Sequence, residues 1–122
     1  MPPIRVLLVD DEEDLSLVLA ERLQMRGFDA EGVTSGETAL SRIEQKQFDV
    51  LVVDVKMPGL GGLNLLRKLR QRNPRSQVIL FTGHGSTQEA EEGIREGAFE
   101  YLVKPVEIEE LVKKIQQAAG RP

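Results

Sequence analysis

The sequence Val6-Leu7-Leu8-Val9-Asp10-Asp11 gives the clearest indication of the fold, and Val50-Leu51-Val52-Val53-Asp54 repeats its pattern later in the chain. In both, a run of four apolar residues ends directly in a carboxylate. Such runs are typical of strands that are buried on both faces of a parallel sheet. The carboxyl ends of those strands are where open α/β sheets build their sites. We therefore expect Asp10, Asp11 and Asp54 to lie together at one edge of a sheet.

Short β-branched runs alternate with segments of helical period along the whole chain. This alternation is the signature of repeated βα units, that is, of an α/β fold with a doubly wound parallel sheet. The second strand candidate is the least apolar, so we place it at an edge. The predicted strands are Ile4–Val9, Asp29–Val33, Val50–Asp54, Gln77–Thr82 and Glu100–Lys104, and the predicted helices span about 14–26, 35–45, 62–72, 86–96 and 107–119.

Composition narrows the class of protein. The length of 122 residues suits one compact domain, and we expect residues 1–122 to form a single domain whose ends, 1–3 and 120–122, are frayed. The absence of cysteine excludes disulfides and thiolate metal sites, and no long apolar stretch predicts a membrane span. With 16 basic and 20 acidic residues and no basic block, direct binding of nucleic acid is not expected. A cytoplasmic protein is the remaining expectation.

The predicted proximity of Asp10, Asp11 and Asp54 poses an electrostatic problem. Carboxylates that lie close together repel one another, so they either take up protons or gather a cation. A cluster with only oxygen donors suits Mg²⁺ or Mn²⁺. We therefore predict a divalent metal site at this edge.

Two further polar residues, Thr82 and Lys104, close apolar runs in the same way. Four motifs then follow one another on strand ends: Leu8-Val9-Asp10-Asp11-Glu12, Val53-Asp54-Val55-Lys56-Met57-Pro58-Gly59, Thr82-Gly83 and Lys104-Pro105. Together they resemble the receiver domain of two-component response regulators, over nearly the whole chain. The resemblance implies a flavodoxin-like (βα)5 sandwich with strand order 2-1-3-4-5. It also implies a phosphoacceptor signalling domain rather than a turnover enzyme.

Chemistry and the resemblance together give roles to the residues of the site. A carboxylate can act as a nucleophile toward a phosphoryl group, and Asp54, which stands alone at its strand end, is the predicted phosphoacceptor. That leaves Asp10 and Asp11 to hold the metal, and the resemblance adds Asp54 itself and the backbone carbonyl of Lys56 as ligands. Lys104 is expected to pair with the Asp54 carboxylate at rest and with a phosphoryl oxygen afterwards.

The resemblance also implies a switch. Thr82 would swing toward the new phosphoryl group and vacate space for the ring of Tyr101, the only tyrosine in the sequence. Lys56 and His84 would flank the phosphoryl site and tune the rate at which water reaches it. The Lys104-Pro105 peptide bond would be cis and would aim the lysine into the site.

The fourth helix is the predicted moving element. Gly93 lies in its interior and Gly97 ends it, and each glycine lowers helix stability by roughly 1 kcal/mol relative to alanine. We expect the charged surface of this helix to face Lys113 and Lys114 of the fifth helix across a groove. That surface comprises Glu89, Glu91, Glu92, Arg95 and Glu96.

The expected partners follow from the same resemblance. A histidine kinase or a histidine phosphotransfer protein would donate the phosphoryl group. The face made by the fourth helix, the fifth strand and the fifth helix would contact a downstream effector. A phosphorylation-dependent dimer is a further option.

Local signals predict where helices begin and end. Thr34-Ser35-Gly36-Glu37 has capping-box spacing, in which the hydroxyl and the acid each satisfy an orphan backbone donor. Gly27, Gly97 and Gly120 are predicted carboxyl-terminal caps. These signals imply no chemistry.

Three other functions remain open at this point. A receiver-like interaction module that is never phosphorylated would have the same fold. A metal-dependent phosphohydrolase would need a second acid near the nucleophile, where the sequence has Lys56. A flavodoxin-like redox protein would need a loop that cradles a phosphate, and the charged run Asp10–Asp14 would repel a phosphate without a bridging metal.

Overall fold

The computed structural model describes residues 2–72, 75–83 and 88–121, and these residues form one parallel sheet with helices on both faces. The strands are β1 (Arg5–Val9), β2 (Asp29–Val33), β3 (Val50–Asp54), β4 (Gln77–Thr82) and β5 (Glu100–Val103). The helices are α1 (Glu13–Met25), α2 (Gly36–Gln45), α3 (Gly62–Arg72), α4 (Gln88–Arg95) and α5 (Ile108–Ala119). The strand order is β2-β1-β3-β4-β5, so the predicted doubly wound fold and the edge position of the second strand are confirmed.

The element bounds agree closely with the predicted ones. β5 ends at Val103, one residue earlier than predicted, although the N–H of Lys104 still donates to the carbonyl oxygen of Thr82 at 2.8 Å. The predicted start of the fourth helix, at Ser86, lies outside the described residues. The predicted glycine caps are confirmed by their left-handed backbone, with φ angles of 92° at Gly27, 109° at Gly97 and 70° at Gly120.

Two apolar cores form because successive side chains of a buried strand point to opposite faces of the sheet. One core lies under α1 and α5 and includes Leu23, Val52 and Ile115. The other lies under α2 and α3 and includes Leu51 and Leu66. Full burial of one such side chain contributes roughly 1.5–3 kcal/mol. The two cores therefore hold the sheet from both sides and fix the position of its carboxyl edge.

In the part of the chain that the structure describes, no helix combines the length and the apolar character that a membrane span requires.

Ser35 rather than Thr34 caps α2, so the predicted capping box is wrong. The Ser35 hydroxyl oxygen accepts a hydrogen bond from the N–H of Thr38 at 3.1 Å, and Ser35 has the extended backbone of an N-cap residue. The Glu37 carboxylate accepts instead from the N–H of Leu60, at 3.3 Å. Both Thr34 and Ser35 carry a hydroxyl. Only Ser35 directly precedes the helix, so its hydroxyl is close enough to accept from an N–H of the first turn.

Two of the acids that we expect to face the α5 lysines, Glu92 and Glu96, form their ion pairs with α3, and Lys114 of α5 forms its ion pair with β5. Lys114 of α5 binds Glu100 at the start of β5, at 2.8 Å. Glu92 of α4 and Glu96, which follows it, bind Arg67 of α3. The reason is the sheet itself: α5 packs on one face with α1, whereas α4 lies beside α3 on the other. Glu92 and Glu96 therefore lie within reach of α3.

Edge strand β2 is tied to α2 through Glu31, and this contact implies a pH-dependent stability. Arg42 donates to the Glu31 carboxylate at 2.6 and 3.1 Å, and Lys46 lies 3.5 Å from it. The hydrogen bonds from Arg42, opposed by burial, lower the pKa of Glu31 below its ordinary value of 4.5. The ionised carboxylate therefore stabilises the fold above pH 4.5, and this stabilisation is lost as the pH falls through the folded pKa.

Glu31→Gln is accordingly expected to lower the free energy of unfolding at pH 7 by up to about 1 kcal/mol. The difference from the wild type should shrink as the pH is lowered below 4.5, because the wild-type carboxylate then becomes neutral as well. Urea titrations at neutral and acidic pH measure both values. Glu44→Gln, which removes an acid from the exposed pair with Arg72, controls for the loss of one charge. A Glu31→Gln deficit that is constant over this range would contradict the argument.

Candidate functional site

Three carboxylates meet at the carboxyl edge of the sheet, as predicted. β1 and β3 pair in parallel with Val9 opposite Val53, so Asp10 follows one strand beside Asp54, which ends the other. One oxygen from each of Asp10, Asp11 and Asp54 lies within 4.8 Å of the others. Asp10 and Asp54 are 4% and 7% exposed, whereas Asp11 is exposed. The edge thus carries two buried acids and a third at the rim.

Lys104 brings positive charge into this cluster. It directly follows β5, and its Nζ lies 2.8 Å from Asp10 Oδ2 and 3.4 Å from Asp54 Oδ2. The predicted contact with Asp54 is therefore present, but the shorter contact is with Asp10. A third carboxylate, that of Glu12, lies 3.5 Å from the same ammonium. The Lys104–Pro105 peptide bond is cis, the conformation that the resemblance implied.

Burial and charge act against each other in this cluster. Burial raises the pKa of Asp54, and the Asp10 charge adds to the rise while the Lys104 charge opposes it. Burial alone would lower the pKa of Lys104. The carboxylates around that ammonium outweigh burial and raise its pKa above the ordinary value. Lys104 is therefore charged at neutral pH, and it offsets the negative charge of the cluster only in part.

The donor set fits a hard divalent cation. Asp10, Asp11 and Asp54 offer three carboxylate oxygens close enough to share one ion. Mg²⁺ prefers oxygen ligands and keeps several of its waters, so a few protein ligands suffice, and the exposed Asp11 leaves an open side for water. A cation would also relieve the cost of burying the Asp54 charge, which the raised pKa of that group expresses.

The loop after β3 wraps around Asp54. The N–H of Lys56 donates to Asp54 Oδ1 at 3.1 Å, so the Lys56 backbone lies beside the acid. α3 begins close by, because a Cβ atom at Gly62 would lie 2.5 Å from the carbonyl oxygen of Asp54. Glycine is required for this approach. His84, the other predicted rate-tuning residue, lies outside the described residues.

Thr82 and Tyr101 lie on one face of the sheet. In the pairing of β4 with β5, Leu80 is opposite Tyr101 and Thr82 is opposite Val103. Residues two apart on a strand share a face, so Thr82 and Tyr101 are diagonal neighbours. Thr82 is 3% exposed at the end of β4, and Tyr101 is half-buried against the core under α3. A displacement of Thr82 therefore acts on the same face of the sheet as the tyrosine ring.

A mainly apolar groove opens beside the acids, between α1 and the loop that joins β5 to α5. Its volume is about 390 Å³. The residues that line it are Glu12, Leu15, Leu19, Phe81, Lys104, Pro105 and Val106. Because the lining includes the lysine that binds Asp10, an occupant of this groove lies next to the carboxylates.

Sequence reasoning missed two charged contacts. Glu12 approaches Lys104, and the uninterrupted acidic run in which it stands was the available signal. Arg67 binds both Glu92 and Glu96. The spacing of those two acids, four residues apart, places them on one helix face and indicates a shared cationic partner.

Comparisons with known proteins identify the family. A family model described as the response regulator receiver domain matches residues 6–116. The regulatory protein AtoC of Escherichia coli is 34% identical over 93% of this chain, and the transcriptional regulatory protein PhoB of Rhizobium meliloti is 34% identical over 96% of it. The matched regions cover 25% of AtoC and 52% of PhoB, so the chain spans between a quarter and about half of these relatives.

Solved structures share the same fold. A CheY-like receiver domain protein from Methanospirillum hungatei superposes with a TM-score of 0.91 at 28% identity, over 97% of this chain and 94% of that one. A receiver domain protein from Clostridium thermocellum gives a TM-score of 0.90 at 33% identity, over 96% of this chain and 94% of that one. The strand order, the acidic edge and the match over residues 6–116 agree: the chain belongs to the family of response regulator receiver domains.

Proposed function

We propose that this domain accepts a phosphoryl group on Asp54 from a histidine kinase or a histidine phosphotransfer protein. The observation that carries the proposal is the pair of buried acids, Asp10 and Asp54, around the Lys104 ammonium, with Asp11 at the rim. A phosphoryl group in transfer spreads negative charge over its oxygens, and an ammonium and backbone amides stabilise that charge. The domain would act once per signal and would not be a turnover enzyme.

Asp54 is the proposed nucleophile because Asp10 is already engaged. Asp10 accepts from Lys104 at 2.8 Å and from the N–H of Glu12 at 2.9 Å. Asp54 accepts from the N–H of Lys56 through one oxygen, and its other oxygen has a long contact of 3.4 Å with Lys104. An Asp54 oxygen would attack the phosphorus, and the bond from phosphorus to the donor nitrogen would break with its electron pair leaving on that nitrogen. The product is an acyl phosphate.

Mg²⁺, or Mn²⁺ in its place, would be held by the carboxylates of Asp10, Asp11 and Asp54 and by the backbone carbonyl of Lys56. When bound, the ion would offset the charge of the carboxylates and of the incoming phosphoryl group. The protein itself contributes Lys104, whose charge opposes the rise in the pKa of Asp54 that burial causes, and the N–H of Lys56, which orients the Asp54 carboxylate.

Thr82 and Tyr101 are the proposed switch residues. Phosphorylation adds about −1.5 to −2 charges and three acceptor oxygens at Asp54. The Thr82 hydroxyl would turn toward one of these oxygens, and the Tyr101 ring would follow on the same face of the sheet. Lys56 and His84 would control the access of water to the acyl phosphate, whose slow hydrolysis would end the signal.

The proposed partners dock on separate surfaces. The groove between α1 and the β5–α5 loop lies beside the acids, where the phosphohistidine of a donor has to arrive. A downstream effector, or a second copy in a phosphorylation-dependent dimer, would bind the face of α4, β5 and α5. On that face Ile94, Phe99 and Val103 are each about 40% exposed. A cytoplasmic location belongs to the proposal because relatives such as PhoB are named as transcriptional regulators.

Incubation with acetyl phosphate and Mg²⁺ is expected to add the mass of one phosphoryl group, and EDTA is expected to abolish the gain. The reason is that the carboxylate cluster repels an anionic donor unless a cation offsets its charge. Intact-protein mass spectrometry measures the gain, and peptide mapping of the modified protein locates it. Urea-unfolded protein under the same conditions controls for modification that does not depend on the site.

Three results would contradict the proposed function or its metal requirement. Absence of a mass gain with Mg²⁺ would overturn the proposal in favour of an interaction module that is not phosphorylated. A gain that is unchanged in EDTA would contradict the metal requirement. Release of inorganic phosphate over many turnovers without accumulation of phosphorylated protein would indicate a phosphohydrolase.

A further inference from the structure

α4 buries less apolar surface than the neighbouring α3. Its buried residues are Ala90 and Gly93, and neither carries more than a methyl group. The neighbouring α3 buries three leucines, Leu65, Leu66 and Leu69. Because hydrophobic stabilisation is roughly proportional to the apolar area buried, α4 gains much less from the core than α3 does. Other contacts must therefore contribute a larger share of what holds α4 in place.

The close approach of α4 to β4 at Gly93 explains why α4 buries little apolar side-chain area. A Cβ atom at Gly93 would overlap the Cδ1 atom of Leu80 and would lie 3.3 Å from Cδ2 of Leu63. The helix backbone therefore rests directly on Leu80 of β4, and no larger side chain fits between them. Leu80 and Thr82 are two residues apart on the same face of β4, so a movement at the end of this strand alters the surface on which α4 rests.

Arg67 of α3 ties α3 to α4 and to Glu96, the residue that follows α4. Its Nε donates to Glu96 Oε1 at 2.8 Å, and its Nη2 donates to Glu92 Oε1 at 3.2 Å. Its Nη1 donates to Asn64 Oδ1 at 3.1 Å within α3, so all three nitrogens of the guanidinium are used. A planar guanidinium of this kind fixes both the distance and the orientation of the carboxylates that it binds. A lysine ammonium, which is a point charge on a flexible stem, would fix only the distance. One α3 side chain thus holds two acids at the carboxyl end of α4.

We propose that Arg67, through Glu92 and Glu96, is a clamp that holds α4 in its resting position and opposes the phosphorylation switch. The inference rests on the function proposed for Asp54. Phosphorylation acts on Thr82 at the end of β4, whereas Arg67 holds the far end of α4, next to Glu96. The clamp therefore stabilises the resting arrangement without touching the phosphoryl site.

If Arg67 acts as a clamp, its removal changes the affinity of the site around Asp54 for a ligand that mimics a phosphoryl group. If the clamp stabilises the resting state, its removal shifts the population toward the switched state, and a ligand that favours this state binds more tightly. Beryllofluoride with Mg²⁺ is a suitable ligand, because it mimics a phosphoryl group without covalent chemistry. Tyr101 is a suitable reporter, because the sequence contains one tyrosine and no tryptophan.

Arg67→Met keeps the aliphatic part of the side chain and removes the guanidinium. We expect it to bind beryllofluoride about two- to tenfold more tightly than the wild type, the range that corresponds to two partly exposed ion pairs. Arg72→Met is the matched control, since Arg72 lies on the same helix and binds Glu44 of α2 at 2.7 Å. It should bind beryllofluoride as the wild type does. Arg67→Lys should fall between the wild type and Arg67→Met.

Titration of Tyr101 fluorescence at fixed Mg²⁺, with circular dichroism to confirm folding, gives these affinities. Unchanged or weaker binding by a folded Arg67→Met would overturn the clamp. If that variant does not fold, the Glu92→Gln, Glu96→Gln double variant replaces it with the same expected direction. Failure of the wild type itself to bind beryllofluoride would refute the function proposed for Asp54 instead.

Discussion

Asp54→Asn is expected to gain no mass from acetyl phosphate and Mg²⁺ under conditions in which the wild type gains one phosphoryl group. The amide keeps the shape of the side chain but lacks a nucleophilic carboxylate oxygen. Asp10 is not placed to substitute for it, because Lys104 and the N–H of Glu12 already occupy its oxygens at 2.8 and 2.9 Å. Intact mass after a fixed incubation is the measurement.

The same substitution is expected to raise the free energy of unfolding by about 0.5–2 kcal/mol at neutral pH. This is the usual range for a single stabilising substitution, here one that removes a buried charge needed for function. Burial raises the pKa of Asp54, so the folded state disfavours its charge. A raised carboxyl pKa means that the ionised group reduces stability as the pH rises through that pKa. The gain in Asp54→Asn should therefore be present at neutral pH and disappear in acid, where the wild-type carboxyl is also neutral.

Asp14→Asn is the control for both measurements, because Asp14 is exposed in the first turn of α1 and outside the acid cluster. It should take up the phosphoryl group normally and should not be stabilised. Phosphorylation of Asp54→Asn to the wild-type extent would place the acceptor elsewhere. Lower stability of Asp54→Asn at neutral pH would show that Lys104 compensates the buried charge completely.

The architecture was predictable because the strands are buried on both faces. Runs such as Val50–Val53 have no polar alternation, which distinguishes a central parallel strand from an amphipathic one. β2 is far less apolar, and this alone indicated an edge position. The meeting of Asp10, Asp11 and Asp54 follows from the fold, because parallel strands end at one edge.

Side-chain partners were less predictable, because they depend on distances that a linear pattern does not contain. Lys104 follows β5, and its preference for Asp10 over Asp54 reflects a difference of 0.6 Å between two contacts, at 2.8 and 3.4 Å. The charge pattern predicts that the acidic surface of α4 faces the lysines of α5, but it does not reveal that α3 supplies a partner for two of these acids. Arg67 lies on α3, beside α4 on the same face of the sheet, and its guanidinium binds both Glu92 and Glu96.

Lys104→Met is expected to slow phosphoryl uptake from acetyl phosphate by about a hundredfold or more, the usual effect of removing one group that stabilises developing charge. Without Mg²⁺ the variant should also be less stable by about 1–3 kcal/mol, because it leaves partly buried carboxylates without their cation. Lys104 is 17% exposed, and Asp10 and Asp54 are 5% and 9% exposed at their side chains. Solvent therefore screens these charges poorly.

The dependence of stability on Mg²⁺ tests whether Lys104 and the metal act on the same carboxylates. The ion should recover more stability in Lys104→Met than in the wild type, since it would supply the charge that the lysine provided, and the variant should bind Mg²⁺ more tightly. Lys114→Met is the matched control, because Lys114 binds Glu100 at 2.8 Å far from the acids, and its loss should leave Mg²⁺ affinity and phosphoryl uptake unchanged. Thermal melts with and without Mg²⁺ measure the difference. Equal Mg²⁺ stabilisation of Lys104→Met and the wild type would mean that ammonium and metal do not act on the same carboxylates.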